Sequence, residues 1–246
     1  MKVKLISYSK PTEEIADSGI DDAQELVAFC ARVSNPSNQL NTETSEKLIK
    51  YLINNAHWSP LEMVSACLEI ETTRDIARQM LRHRSFSFQE FSQRYANPVK
   101  DLEFIVRDAR MQDPKNRQNS IETDNVEISE SWKNKQRKII KDATEAYDWA
   151  IENGIAKEQA RSVLPEGNTV SRLYMNGTLR SWIHYIELRS ANGTQKEHME
   201  IALACADVIN NIFPMGENLN YLSNLNLKTK YSLVISTSES AIIIKS

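Results

Sequence analysis

The chain has 246 residues, of which 41% are hydrophobic, and its 30 Lys and Arg against 33 Asp and Glu leave a formal net charge of −3. A chain of this length buries roughly 70–75% of the surface its unfolded form exposes, so it can hold a substantial core. The acidic balance argues against broad binding to nucleic acid or acidic membrane, and no apolar run reaches the ~18 residues of a spanning helix.

The opening "KVKLISY" alternates apolar and polar residues and predicts a strand. It lacks the long apolar stretch and cleavage site of a secretory signal, which points to a soluble, cytoplasmic protein. "DDAQELVAFCARVS" and "TSEKLIKYLINNA" carry apolar residues at helical spacing behind acidic or hydroxyl starts, and the second ends near "HWSP" at Pro60. "EMVSACLEIET" suits a buried strand. "TTRDIARQMLRHR" then reads as a helix with a Thr cap and Asp75 in its first turn. "FSQRYAN" returns to strand alternation and stops at a Pro.

Residues 108–130 are polar and predict an exposed, lid-like loop. A long helix over 128–152 follows, closed by Asn153-Gly154, with further helices over 155–164, 168–188 and 195–212. The fold class expected is α+β: one domain over residues 1–225, a modest mixed or antiparallel sheet packed with long helices, and a helix-rich second half. Residues 226–246 form a tail with strand-like pieces. Cys30, Cys67 and Cys205 lie in apolar surroundings and read as reduced core thiols. Neither the three cysteines nor the four histidines have metal-ligand spacing.

The chemistry concentrates in "RHRSFSFQEFSQRY", residues 82–95. On the predicted helix, Arg74, Arg78 and Arg82 at i, i+4, i+8 form a ridge, and Gln79 neighbours Arg82. On the predicted strand, Glu90, Ser92 and Arg94 share one face, and Phe91, Gln93 and Tyr95 the other. Arginine forks, a hydroxyl and a carboxylate in this order suit a phosphate-bearing small molecule such as a nucleotide monophosphate. With no G-x-G-x-x-G and no P-loop, phosphate recognition must come from side chains.

Arg82-His83-Arg84, then Ser92 after seven residues, then Gln93-Arg94-Tyr95, with Ser87 between, resembles the signature of the flavin-dependent thymidylate synthases (ThyX-type). "HWSPLEM" (57–63), "ARQMLRHR" (77–84), "ARSVLP" (160–165) and "LRSWIHYIELR" (179–189) followed by Gln195 extend the resemblance over about residues 20–210. It implies a homotetramer with active sites shared between subunits, binding FAD and converting dUMP to dTMP. The carbon donor would be 5,10-methylenetetrahydrofolate and the reductant NADPH. It further implies dUMP contacts at Gln79, Arg82, Glu90, Ser92, Arg94, Arg161 and Arg189, the last also acting on the uracil ring. FAD contacts are implied at His57, Ser59, Arg82, His83, Arg84, Glu90, Arg180 and His184.

His184 stands where the family often has Asn, and Gly193 where some members carry a His. His83, between two arginines, is expected to have a lowered pKa. No cysteine sits in an electropositive setting, so no thiolate nucleophile is expected, and Ser92 suits phosphate better than nucleophilic attack because no base neighbours it. The competing readings are a non-catalytic nucleotide- or RNA-binding protein, marked by salt-dependent affinity for single strands, and a degenerate family member kept as a structural subunit.

Overall fold

In the computed structural model the described residues are 1–213, 234–235 and 241–243. The chain runs β1 (Lys2–Tyr8), α1 (Glu13–Ala16), α2 (Ala23–Ala31), α3 (Ser45–Asn54), β2 (Ser65–Thr73), α4 (Arg74–Met80), β3 (Phe86–Glu90) and α5 (Pro98–Asp101). There follow β4 (Arg110–Gln112), β5 (Ser120–Glu122), α6 (Val126–Glu152), α7 (Lys157–Ala160), β6 (Val170–Thr178), α8 (Leu179–Ser190), α9 (Lys196–Ile212), β7 (Val234–Ile235) and β8 (Ala241–Ile243). The main sheet has the order β3-β6-β2-β1-β8-β7, and its pairings are antiparallel. The expected α+β class holds. Of the tail from residue 226, strand pieces at β7 and β8 are described and the rest lies outside the described residues.

The sheet's centre is β2 against β6, in register from Ser65↔Thr178 to Thr73↔Val170. Each strand runs straight into a helix through a threonine: Thr73 opens α4 and Thr178 opens α8, its Oγ1 accepting from the Ser181 N–H. Because the strands are antiparallel, the two helices leave from opposite ends of the sheet. Edge strand β3 is shorter and runs along the later part of β6, with Phe86 beside Gly177 and Glu90 beside Leu173. One end of β3 therefore meets the start of α8 and the other the start of α4. A Cβ on Gly177 would lie 2.4 Å from the Phe86 ring, so only glycine lets that ring cross the strand and pack on Trp182.

Leu68, Ile70, Leu173 and Met175 point from the sheet into the core, covered by Trp182 and Tyr185 of α8 and by Ile201, Ala202 and Cys205 of α9. Burying each such aromatic or aliphatic side chain contributes about 1.5–3 kcal/mol. The Trp182 indole also donates to the Ala66 carbonyl at 3.0 Å. Helix α6, about 40 Å long, starts at Asn125, which accepts from the Ile128 N–H, and ends at Gly154 with φ 77°. It packs a smaller core of Tyr147, Ala150, Ala160 and Leu164.

Four expectations need correction. Residues 168–188 are not one helix: 170–178 form β6, where Ser171, Leu173 and Met175 are buried and Tyr174 and Asn176 exposed in strict alternation. The helix over 72–84 ends at Met80, and the RHR residues occupy the turn into β3. The strand placed at 91–97 lies earlier, at 86–90, and 93–95 form a turn in which Tyr95 and Ala96 donate to the Ser92 carbonyl. The loop at 108–130 contains the β4–β5 hairpin and the first turns of α6. Of the cysteines, Cys205 is fully buried, while Cys30 and Cys67 are half-buried.

Candidate active site

The turn and helix placements regroup the predicted residues. At the α4 end of β3, Glu90 accepts from the Ser171 hydroxyl at 2.8 Å and faces Arg74 at 3.7 Å and Arg78 at 3.6 Å. Arg78 also reaches Glu166 at 3.6 Å. Arg74 is buried and its N–H donates to the Thr169 carbonyl, which pins α4 to the start of β6. Burial pulls its guanidinium pKa down, while Glu90 counters that shift. The predicted arginine ridge is thus largely answered by carboxylates inside the chain, and Arg82 is not part of it.

Beyond β3, Ser92 and Arg94 do not share a strand face with Glu90. Ser92 Oγ accepts from the Arg94 N–H at 3.4 Å, and no base is hydrogen-bonded to it among the described residues. Arg94 pairs with Glu158 at 3.3 Å, and the Arg161 Nε donates to the Glu158 carbonyl at 3.3 Å. Lys157 donates to the Tyr95 carbonyl. These ties dock α7 against the 92–96 turn and bring Arg94 and Arg161 together around one residue.

The RHR turn lies at the other end of β3, where the Ser181 hydroxyl donates to the Ser85 carbonyl. Arg82 and Arg84 are exposed and carry no ion pair among the described residues. His83 between them is half-buried. Its Nε2 accepts from the Arg189 Nε at 2.9 Å, and its ring stands edge-on to Tyr185. Burial first, then the charges of Arg189 and Arg82, push its pKa down to about 4, as expected for this position. The imidazole is neutral, with its proton on Nδ1, and Arg189 keeps its terminal nitrogens free of carboxylates among the described residues.

A third group forms where the turn before β2 meets α8. After α3, Ala56 adopts φ 56° and the His57 N–H returns to the Leu52 carbonyl, which turns the chain outward. His57 and Ser59 are exposed on this turn. The Trp58 ring packs on His184 with centroids 4.4 Å apart, and Arg180 forms an ion pair with Glu62.

Gln79 belongs to yet another group. Its Nε2 donates to Gln195, its Oε1 meets the His198 Nδ1, and His198 Nε2 meets the Tyr185 hydroxyl. The polar cavity of about 150 Å³ lined by Met1, Glu71, Leu102 and Arg172 touches none of the predicted site residues. No group of three metal-ligating side chains occurs among the described residues.

Several residues at these sites escaped the sequence reading. Ser171 lies inside the stretch 168–188 that reads as helix from its sequence. Its alternation with Leu173 and Met175, together with Gly177, is the signal that identifies a strand. His198 sits on the apolar face of α9 with Ile201, Ala202 and Cys205, where a polar ring needs buried partners. Glu197, Arg110, Glu166 and Trp58 join only through tertiary contacts.

Residues 15–215 match the family described as "Thymidylate synthase complementing protein". A probable flavin-dependent thymidylate synthase of Paramecium bursaria Chlorella virus 1 is 49% identical over 214 residues, covering 87% of this chain and 96% of that protein. A flavin-dependent thymidylate synthase of Synechocystis is 49% identical over 215 residues, with 87% and 96% covered. A crystal structure of the UMP/dUMP methylase PolB from Streptomyces cacaoi bound with 5-Br dUMP has the same fold. Its TM-score is 0.74 at 24% identity, over 89% of this chain and 94% of that one. With its signature intact and this similarity covering most of its length, the chain belongs to the flavin-dependent thymidylate synthase family.

Proposed function

We propose that this protein methylates dUMP to dTMP, with 5,10-methylenetetrahydrofolate as carbon donor and NADPH as reductant, through bound FAD. The observation that carries the reading is the RHR turn, where exposed Arg82 and Arg84, without an ion pair among the described residues, flank a neutral His83 locked to Arg189. FAD fits the donor set. Its pyrophosphate needs fixed positive charge, which Arg82, Arg84 and Arg180 supply, and its flat ring needs ring faces to stack on, which Trp58 and His184 offer, with the His57 ring and the Ser59 hydroxyl as polar contacts.

When bound, FAD supplies the hydride chemistry; the protein supplies position and field. No protein nucleophile is required. Burial pushes the Cys30, Cys67 and Cys205 thiols up, so none is poised as a thiolate at neutral pH. Arg189, always protonated, stabilises the anion that develops on the uracil ring, and His83 holds the guanidinium in one orientation by accepting its Nε–H. Gln79 and Glu90 contact the nucleoside, and Ser92, Arg94 and Arg161 take the phosphate. Phosphate would displace Glu158 from Arg94, an exposed pair worth only ~0–1 kcal/mol.

The exposure of His57, Arg82, Arg84, Arg180 and His184 on one chain supports a homotetramer whose subunits share each site. An active, stable monomer in sedimentation would overturn that part of the proposal. The activity itself is tested by the absorbance spectrum of purified protein, before and after FAD and then dUMP. Flavin bands that shift on adding dUMP place both ligands in one site. Absence of flavin uptake, with or without dUMP, would refute the assignment.

A further inference from the structure

We infer that Glu197 is a positioning residue: it sets the direction of a chain of side-chain hydrogen bonds that ends on Gln79 and so decides which way the Gln79 amide faces dUMP. The inference rests on the reading of Gln79 as a dUMP contact. The chain begins on the β4–β5 hairpin, where Arg110 Nη2 donates to Glu197 Oε1 at 2.6 Å, with side chains 18% and 12% exposed. Glu197 Oε2 accepts from Gln195 Nε2 at 3.0 Å, and Gln195 Oε1 accepts from Gln79 Nε2 at 2.8 Å. Gln79 Oε1 then lies 3.2 Å from His198 Nδ1, and His198 Nε2 lies 3.2 Å from the Tyr185 hydroxyl. His198 and Tyr185 are buried in the core.

Charge fixes the direction of every link. A guanidinium only donates and a carboxylate only accepts. Burial pushes the Glu197 carboxyl up, but the Arg110 hydrogen bond and charge outweigh it and leave the group lowered and ionised. Gln195 must therefore present its NH₂ to Glu197 and its carbonyl to Gln79. Gln79 in turn presents its NH₂ to Gln195 and its carbonyl to His198. His198 must carry its proton on Nδ1, and the Tyr185 hydroxyl must donate to Nε2. Burial, with Arg189 and His83 nearby, holds the His198 pKa down to about 3, so a second ring proton does not disturb this order. Gln79 is left with one N–H and one carbonyl lone pair for a ligand, in fixed places.

Glu197→Gln tests this without changing shape. Arg110 cannot accept, so the new amide must turn its carbonyl to Arg110 and its NH₂ to Gln195. Every link from position 197 onward then reverses, Gln79 swaps its donor and acceptor, and the His198 proton moves to Nε2. The experiment is ¹⁵N NMR of the histidine rings in ¹⁵N-histidine-labelled holoenzyme, with dUMP kinetics on the same samples. In the wild type, His198 and His83 should both be Nδ1–H tautomers. In Glu197→Gln one ring should switch to Nε2–H while His83 is held by Arg189. The KM for dUMP should rise about tenfold, with kcat within about twofold and flavin content unchanged.

An Nε2–H His198 in the wild type overturns the inference whether or not the variant folds. So does a variant whose tautomer and KM are both unchanged, or one whose tautomer switches with no effect on KM. Gln195→Ala, which severs the chain without placing a new group against Arg110, should raise the KM similarly. Gln79→Ala separates the two readings. An unchanged KM there would sink the role given to Gln79, whereas a raised KM with normal Glu197→Gln would sink only the role given to Glu197.

Discussion

The two ends of β3 handle positive charge in opposite ways. At the α4 end, Arg74 and Arg78 are met inside the chain by Glu90, Glu166 and the Ser171 hydroxyl that steadies Glu90. At the α8 end, Arg82 and Arg84 stand exposed without a carboxylate among the described residues, and Arg189 donates to a neutral histidine. The first arrangement stabilises the fold and holds a carboxylate in place. The second contributes little to the apo-protein and, in the proposed function, keeps its donors for a ligand that brings its own negative charge. Substitution should therefore separate stability from binding along one five-residue strand.

The largest effect is expected at the uncompensated end. Arg189→Ala removes the one cation read as stabilising charge on the uracil ring, and activity should fall about 10²–10³-fold. The His83 pKa should also rise from about 4, only partway to 6.5, because burial, its largest cause, remains. NMR titration of His83 reads the second effect directly. Activity within twofold of wild type would remove Arg189 from the mechanism.

Glu90→Gln should act on the fold as well as on the nucleoside contact, since it leaves Arg74 buried without its counter-charge. The apo-protein should lose about 2–3 kcal/mol in denaturant unfolding. Arg84→Ala is the matching test at the other end. It should leave the apo Tm in place and weaken FAD binding about tenfold, read by fluorescence titration. If Arg84→Ala destabilises as much as Glu90→Gln, the contrast between the two ends is broken.

The sequence made one of these ends more legible than the other. The RHR run is contiguous, so His83 between two cations implied a neutral ring before any contact was known, and the structure bears that pKa direction out. The Glu90 end was half legible. Its arginines were visible at helical spacing, but Ser171, which donates to their partner Glu90, comes from a strand 81 residues away. That strand resembles helix in the sequence because Leu173, Met175 and the following "LRSWIHYIEL" carry apolar residues compatible with one long helix. Thr178 marks the real boundary, ending the strand and capping α8 in a single residue. Ser92 and Arg94 show the limit of periodicity. Alternation predicted a shared face, but the chain leaves the sheet after Glu90, and Gln93 is buried while Tyr95 is fully turned outward.

A pH slope should also arise at the α8 end. Folding holds His83 down to about 4 and His198 down to about 3, both through burial first and then through Arg189 and neighbouring groups. A base whose folded pKa is depressed takes up protons in the unfolded chain first. Its stabilising contribution is complete above about 6.5 and is lost as pH falls through 6.5 toward the folded value. Each ring contributes at most ~1.4 kcal/mol per pH unit across that window. Glu200, raised by burial, acts with the opposite sign just above 4.5, so one carboxyl opposes two imidazoles. The Met1 amino group, lowered by burial, shares the sign of the histidines but begins to act nearer 8.0. Asp113 and Glu197 are lowered, so their losses begin only below 3.8 and 4.5. Denaturant midpoints of the apo-protein should therefore fall steadily between pH 6.5 and 4.5, before these lowered carboxylates contribute. A flat profile across those two units would mean that the α8 end carries no buried neutral histidines, and the contrast between an end built for the fold and an end built for a ligand would lose its electrostatic basis.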